Sequence, residues 1–119
     1  MVGVMRRGDV WVGNLNPNRG AEIGKVRPVV VLQSDELSGL LSRTVVVLPT
    51  TSQVRPGFRR LRVTIPARDR LRRDCQVMVD QPRTLDRRRF GAGPLTTLTN
   101  EEMASVERGL LAVMGVATG

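Results

Sequence analysis

The stretch Pro28-Val29-Val30-Val31-Leu32 decides the fold, together with a later stretch of the same kind, Thr44-Val45-Val46-Val47-Leu48. Both are runs of β-branched residues, which favour strands because their side chains pack well on a pleated sheet. A run without polar alternation is typical of a strand that is buried on both faces. The sequence therefore predicts two strands at the centre of a sheet that is covered on both sides.

Shorter strands are predicted around these two. Residues 10–15 end at Asn16-Pro17-Asn18, which is a turn signal. Apolar residues alternate with polar or basic ones at 61–65 and again at 75–79, which predicts strands with one apolar and one polar face. Residues 34–42 fit a single helical turn between the two central strands.

The end of the chain changes period. Apolar residues recur there at helical spacing and form one stripe, which is typical of an amphipathic helix in the core or an interface: Met103, Val106, Leu110, Val113 and Met114. Thr99 and Glu102 fit a capping box at its start, and Gly115 fits its stop. Short strands closed by one helix predict a mainly β protein with a strongly curved sheet or small barrel. The length predicts a single domain over residues 1–119.

The charge of the chain predicts a polyanionic partner. Nineteen Lys and Arg against eleven Asp and Glu leave a formal charge of +8, and nearly all the cations are Arg. Arg binds phosphate in a flat, bidentate geometry, so we expect nucleic acid to be bound. The densest basic run would be a track for RNA phosphates and for an acidic partner, or else a solvated face balanced by Asp69 and Asp74: Arg55, Arg59, Arg60, Arg62, Arg68, Arg70, Arg72 and Arg73.

Composition also bears on location. The sequence has no apolar run of the roughly 20 residues that a membrane span needs, and we see no signal peptide. Cys75 is alone, which is compatible with a reducing compartment and with a buried small apolar side chain. We therefore expect a cytoplasmic protein.

The missing residue types narrow the chemistry. The chain has no His, no Cys/His cluster for zinc, no acidic group typical of a two-metal site and no Walker-type loop. An enzyme made from it must use carboxylate, guanidinium, hydroxyl and backbone groups, and we expect no cofactor. RNA permits such an enzyme, because its 2′-hydroxyl is a nucleophile held beside the scissile phosphate.

Four segments, in order, resemble the toxins of the MazF/PemK family. The opening Arg7-Gly8-Asp9-Val10-Trp11 is followed by Pro17 and by residues 20–32, GAEIGKVRPVVVL, which match the family's G-S-E-Q-x-G-x-R-P and apolar strand. Leu48-Pro49-Thr50-Thr51-Ser52-Gln53 resembles its P-x-T-[TS]-Q segment. Residues 79–85, VDQPRTL, resemble its D-Q-[IV]-[RK]-[ST]-[IL] segment. The likeness covers nearly the whole chain.

This resemblance implies a homodimeric, SH3-like β-barrel with a C-terminal helix and one or two short helices. It implies a metal-independent endoribonuclease (an mRNA interferase) that cuts single-stranded messenger RNA selectively, and an acidic MazE-like antitoxin that neutralises it. The products would be a 2′,3′-cyclic phosphate and a 5′-hydroxyl end. The catalytic Arg and Thr of the family correspond to Arg27 and Thr51, with Thr50 as the alternative hydroxyl, and its proposed base corresponds to Glu22.

The substrate contacts are predicted less directly. We expect RNA to be contacted by eight polar side chains: Asn16, Lys25, Gln53, Arg55, Arg59, Arg60, Gln81 and Arg83. The family's loop polar residues are Ala21 and Ile23 here, so the cleavage motif is expected to differ, and water or the phosphate itself is an alternative to Glu22 as base. Two rival functions remain: a CcdB-like gyrase poison and a non-catalytic RNA-binding barrel.

Overall fold

A computed structural model describes residues 5–38, 42–55 and 62–116. These residues form a mainly β protein with two α-helices and a short 3₁₀-helix at Arg87–Arg89. The strands are β1 (Asp9–Asn14), β2 (Val26–Val31), β3 (Thr44–Thr51), β4 (Arg62–Ile65), β5 (Cys75–Met78), β6 (Arg83–Asp86) and β7 (Thr96–Thr97). The helices are α1 (Asp35–Ser38) and α2 (Asn100–Val113). The predicted mainly β class with a C-terminal helix and short helices is confirmed.

All strand pairs are antiparallel, and the sheet curls into a half-barrel. The strand order is β4-β5-β3-β2-β1-β7, and β6 pairs with the first half of β3 while β5 pairs with its end. After β6 the chain returns to β1, where Gly91 N–H donates to Val12 O at 2.8 Å and Val12 N–H donates to Ala92 O at 2.9 Å. These contacts bend the sheet round on itself, as the sequence predicted.

The central strands are buried on both faces, which confirms the prediction from their β-branched runs. Val29 and Val31 pack with Trp11 inside the curled sheet. Val30 points the other way and packs with Met103 and Val106 of α2. Alternate residues of one strand thus belong to two apolar cores, so no polar alternation is possible along it.

Helix α2 begins where the sequence predicted. Thr99 Oγ1 accepts the Glu102 N–H at 3.1 Å, and the Glu102 carboxylate accepts the Thr99 N–H at 2.9 Å. The helix ends at Val113, and Gly115 follows with φ +73°. The first part of its apolar stripe is buried in the core, but Val113 and Met114 are 41% and 57% exposed.

The prediction that β5 has a polar, exposed face is wrong. Gln76 and Met78 are buried as well as Cys75 and Val77. Gln76 accepts the Arg55 N–H at 2.9 Å through its side chain, so the segment after β3 covers this face. Periodicity along β5 carries no sign of that cover.

Two further expectations from the sequence concern a short helix and membrane spans. The helical turn predicted within 34–42 is present as α1, and residues 39–41 lie outside the described residues. In the part of the chain that the structure describes, no helix is long and apolar enough to cross a membrane.

Candidate functional site

A groove of about 690 Å³ lies where the start of β2 meets the end of β3. Its lining comes from three parts of the chain: the connection before β2 and β2 itself, the end of β3 with the residues that follow, and the connection between β4 and β5. Of the described residues, five cationic ones and one acidic one line it: Lys25, Arg27, Arg70, Arg72 and Arg73, with Glu22. The groove is therefore electropositive and suited to a polyanion.

Arg27 lies in β2 with its guanidinium half-buried in this groove. Its Nε donates to Gly24 O at 2.8 Å, and its Nη1 donates to Thr50 O at 3.0 Å. These two bonds fix the plane of the guanidinium. Burial lowers the pKa of Arg27 from its ordinary value, yet arginine stays protonated at neutral pH. A partly desolvated, oriented cation interacts more strongly with an anion than one in bulk water does.

Thr50 and Thr51 both line the groove, but their hydroxyls are engaged differently. Thr50 Oγ1 donates to Pro28 O at 2.7 Å, and the side chain is 1% exposed. Thr51 Oγ1 accepts the Gln53 N–H at 3.2 Å, and no acceptor for its proton is found among the described residues. Of these two hydroxyls, that of Thr51 is therefore the one that can donate to a bound ligand.

The connection before β2 carries Glu22 and is held from below by β6 and the residues before it. Gln81 Oε1 accepts the Ile23 N–H at 2.9 Å. Arg83 Nη1 donates to Leu15 O at 3.0 Å and to Ile23 O at 3.2 Å. These contacts fix the residue next to Glu22, so Gln81 and Arg83 support the loop rather than line the groove.

Lys25 is held in an unusual backbone conformation at the edge of the groove. Its φ is +73°, in the left-handed region that few side chains adopt. Asn16 Oδ1 accepts the Lys25 N–H at 2.9 Å, and Lys25 O accepts the Leu15 N–H at 2.9 Å. Asn16 itself lies outside the groove lining, so it acts on Lys25 through the backbone.

The predicted site residues are thus brought together in part. The three predicted catalytic residues line the groove, with two of the predicted RNA contacts: Glu22, Arg27, Thr51, Lys25 and Gln53. Four other predicted contacts lie outside the lining: Asn16, Arg55, Gln81 and Arg83. Arg59 and Arg60 lie outside the described residues. Asn18 and Ser52 line the groove and were not predicted, although Ser52 stands inside a segment that the family resemblance singled out and Asn18 directly follows Pro17.

The second half of the basic run, from Arg68 to Arg73, contains arginines in two different environments. Arg68 is paired with Glu102 and lies outside the groove lining. Three others face the groove: Arg70, Arg72 and Arg73. Asp69 and Asp74, considered as balancing charges, accept hydrogen bonds from Thr96 Oγ1 and the Ala67 N–H, and Asp69 also lies close enough to Arg68 for their charges to attract. Over the ranges the structure describes, no group of three His, Cys, Asp or Glu residues is arranged to hold a metal ion.

The fold and the groove define a small, basic β-protein with an electropositive groove that holds an oriented arginine and a hydroxyl donor. Residues 6–114 match the family model described as PemK-like, MazF-like toxin of type II toxin–antitoxin system. The chain therefore belongs to this toxin family.

Individual relatives agree. The Endoribonuclease MazF of Staphylococcus saprophyticus is 34% identical over 116 residues, which are 97% of this chain and 95% of that protein. The crystal structure of MazF (Form-I) from Deinococcus radiodurans superposes with a TM-score of 0.82 at 28% identity, covering 97% of this chain and all of that one. The MazE–MazF structure (Form-II) from the same organism gives 0.76 at 28% identity over 98% and 100%.

Proposed function

We propose that this chain is a metal-independent endoribonuclease that cuts single-stranded RNA, chiefly messenger RNA, in a sequence-selective way. It would be the toxin of a type II toxin–antitoxin pair. One observation carries the proposal: Glu22 and Arg27 line one electropositive groove together with Thr51, which lies 24 residues after Arg27 at the end of β3. The family and the named endoribonuclease relative support it.

The substrate supplies the nucleophile. The 2′-hydroxyl loses its proton to a base and attacks the adjacent phosphate, and the bond to the 5′-oxygen of the next nucleotide breaks. The departing 5′-oxygen takes a proton from water, so a 2′,3′-cyclic phosphate and a 5′-hydroxyl end result. The enzyme must accept the 2′ proton, stabilise the charge on the phosphorane and hold the geometry. DNA lacks the 2′-hydroxyl and is not cut.

Each of these tasks has a group in the groove. Arg27 stabilises the phosphorane, because its guanidinium is oriented by Gly24 O and Thr50 O and is partly desolvated. Thr51 donates its hydroxyl to a non-bridging oxygen. Glu22 is the carboxylate of the described groove lining, and it accepts the 2′ proton.

We infer further that the groove binds RNA through Lys25 and Gln53 beside these three. The formal charge of +8 fits an acidic, MazE-like antitoxin, and a MazE–MazF complex is among the structural relatives. We propose a cytoplasmic homodimer in which each chain, residues 1–119, is one domain. Apolar side chains exposed at the end of α2, among them Met114 at 57%, are groups that a second copy would cover. Light scattering on the purified protein measures the dimer.

The test is cleavage of messenger RNA by the purified, antitoxin-free protein in EDTA, with both new ends identified. We expect cyclic phosphate and 5′-hydroxyl ends from the wild type and no cleavage of the matching DNA. Arg27→Ala should abolish cleavage, while the matched control Arg108→Ala, on the exposed surface of α2, should retain it. Intact RNA that is bound but not cut would indicate the non-catalytic barrel, and inhibition of gyrase without RNA cleavage would indicate the gyrase poison.

A further inference from the structure

Three arginines of the connection between β4 and β5 line the groove. Over the described ranges, the guanidiniums of Arg70, Arg72 and Arg73 make no hydrogen bond and no ion pair, although all three line the groove with Arg27 and Thr51. We call these three side chains the arginine wall. Unpaired cations close together repel one another, so their placement on one groove needs a structural cause.

The cause is a tightly bonded connection. Arg68 and Leu71 exchange backbone hydrogen bonds of 3.0 and 2.9 Å, and Asp69 between them has a left-handed φ of +53°. The Arg70 N–H donates to Leu95 O at 2.9 Å. The backbone that carries the arginine wall is therefore fixed against the segment before β7.

Arg68 holds this connection to helix α2. Its Nη1 and Nη2 donate to the two oxygens of Glu102 at 2.8 and 2.5 Å. Its remaining donors reach Thr96 Oγ1 at 3.2 Å and Thr97 O at 3.0 Å. Glu102 also accepts the Thr99 N–H, so one carboxylate caps the helix and anchors the connection. A bidentate pair of this kind fixes geometry as well as adding stability.

We propose that the arginine wall binds the phosphates of nucleotides flanking the cleaved bond, and that Arg68 and Glu102 are positioning residues that hold it at the groove. The proposal rests on the proposed ribonuclease function and names how that site grips its substrate. Guanidiniums suit phosphate because their planar donors match its oxygens. The wall shares one groove with Arg27, where the proposed reaction places the scissile phosphate, so neighbouring phosphates of the same strand must pass close to it.

Salt dependence of binding counts the phosphate contacts. The probe is a short, mixed-sequence 2′-O-methyl RNA pool, which cannot be cut because the nucleophile is blocked, followed by fluorescence anisotropy. Each contact to a single strand adds about 0.7 to the slope of log affinity against log salt, so a rise from about 50 to about 200 mM salt weakens binding by about 2.6-fold per contact. Over this salt range, the wild type should therefore lose about 18-fold more affinity than the variant in which Arg70, Arg72 and Arg73 are changed to Gln. Arg108→Gln, which removes one positive charge from the exposed surface of α2, should remove none of this salt sensitivity.

Positioning is tested by a double-mutant cycle. Arg68→Gln should lower the slope in the wild-type background by about the amount of at least one contact, roughly 2.6-fold over the same salt range. In the background that lacks the arginine wall, it should change nothing further. A merely destabilising change would act alike in both backgrounds. Trp11 fluorescence and the melting temperature verify that every variant is folded.

Each outcome decides the proposal. An unchanged salt slope in the folded triple variant overturns it, and weaker binding of poly-L-glutamate in that variant with unchanged RNA-analogue binding would assign the arginine wall to an acidic protein instead. On messenger RNA, the triple variant should show a raised KM with kcat unchanged at low salt. If the wild type cuts no RNA, the proposed function fails while the binding experiment still stands or falls by its own result.

Discussion

Replacing Thr50 and Thr51 one at a time by Val separates a structural hydroxyl from a catalytic one. Valine has nearly the shape of threonine, so each change removes one hydroxyl and little else. Thr50 Oγ1 donates to Pro28 O at 2.7 Å inside the protein. Thr51 Oγ1 accepts from the Gln53 N–H at 3.2 Å and keeps its own proton for a ligand in the groove.

Thr50→Val should therefore lower the stability of the protein, whereas Thr51→Val should lower its activity. Thr50→Val removes a buried hydrogen bond and leaves the Pro28 carbonyl without it, which costs about 1–3 kcal/mol. For a domain of this size that lowers the melting temperature by about 4–12 °C, with kcat little changed. Thr51→Val removes a donor to the phosphorane, worth about 2.7 kcal/mol or roughly 100-fold in kcat. Its long bond to Gln53 is worth about 1 kcal/mol or less to stability.

The assay is single-turnover cleavage of messenger RNA at saturating protein, with thermal unfolding followed by Trp11 fluorescence. Thr51→Ser keeps the hydroxyl and should recover most of the lost rate. If Thr51→Val cut RNA at the wild-type rate while Thr50→Val did not, the catalytic hydroxyl would be Thr50 and the contact with Pro28 would have to open in the complex. Equal and full activity in both would remove threonine from the mechanism.

Three further outcomes follow from the structure. Lys25→Gly should stabilise the protein by about 0.5–1 kcal/mol, because relief of left-handed strain of roughly 1–2 kcal/mol exceeds the cost of the extra backbone entropy of glycine. The same change should weaken binding of the RNA analogue. Chemical denaturation measures the stability, and fluorescence anisotropy measures the binding. The hydrogen bond from Arg68 lowers the pKa of Glu102 in the folded protein, so the unfolded chain binds more protons in acid. The ion pair therefore stabilises the fold fully above about pH 4.3, the ordinary pKa of Glu, and this stabilisation is lost as the pH falls through the pKa of the folded state. Glu102→Gln should flatten the acid loss of stability in urea titrations from about pH 5 to 3, and an unchanged steepness would contradict the ion pair. Gly93→Ala would place a methyl group 2.2 Å from Trp11 Cδ2, so we expect a loss of about 3 kcal/mol and a shifted Trp11 emission.

The fold was predictable where local pattern and tertiary environment agree. The β-branched runs of β2 and β3 predict burial, and Val29, Val30, Val31, Val45 and Val47 are buried. Thr99 and Glu102 form the capping box that their spacing indicates. Gln76 shows the limit. Its burial depends on a backbone contact with Arg55, 21 residues earlier, and no periodic signal within β5 records such a contact.

The candidate site was predictable only where a sequence motif marks its residues. Arg27 and Thr51 were predicted through motif resemblance, and the structure brings them to one groove. The separation of Arg68 from Arg70, Arg72 and Arg73 was not predictable, because it depends on which guanidinium reaches Glu102 across the fold. Charge counted along the sequence treats these four residues as equivalent, whereas the fold uses one for support and leaves three for a ligand.

The groove has a floor, formed by the end of β3, and walls, formed by the connections before β2 and between β4 and β5. The residues of the floor and of the walls differ in how easily they can be replaced. The floor is the end of a strand that is bonded along both edges and contributes to two cores, so replacements of its core side chains lower the stability of the whole fold. The walls are connections, whose exposed side chains can be exchanged while the backbone stays anchored. Descendants of this chain can therefore acquire new cleavage motifs one wall residue at a time without rebuilding the chemistry.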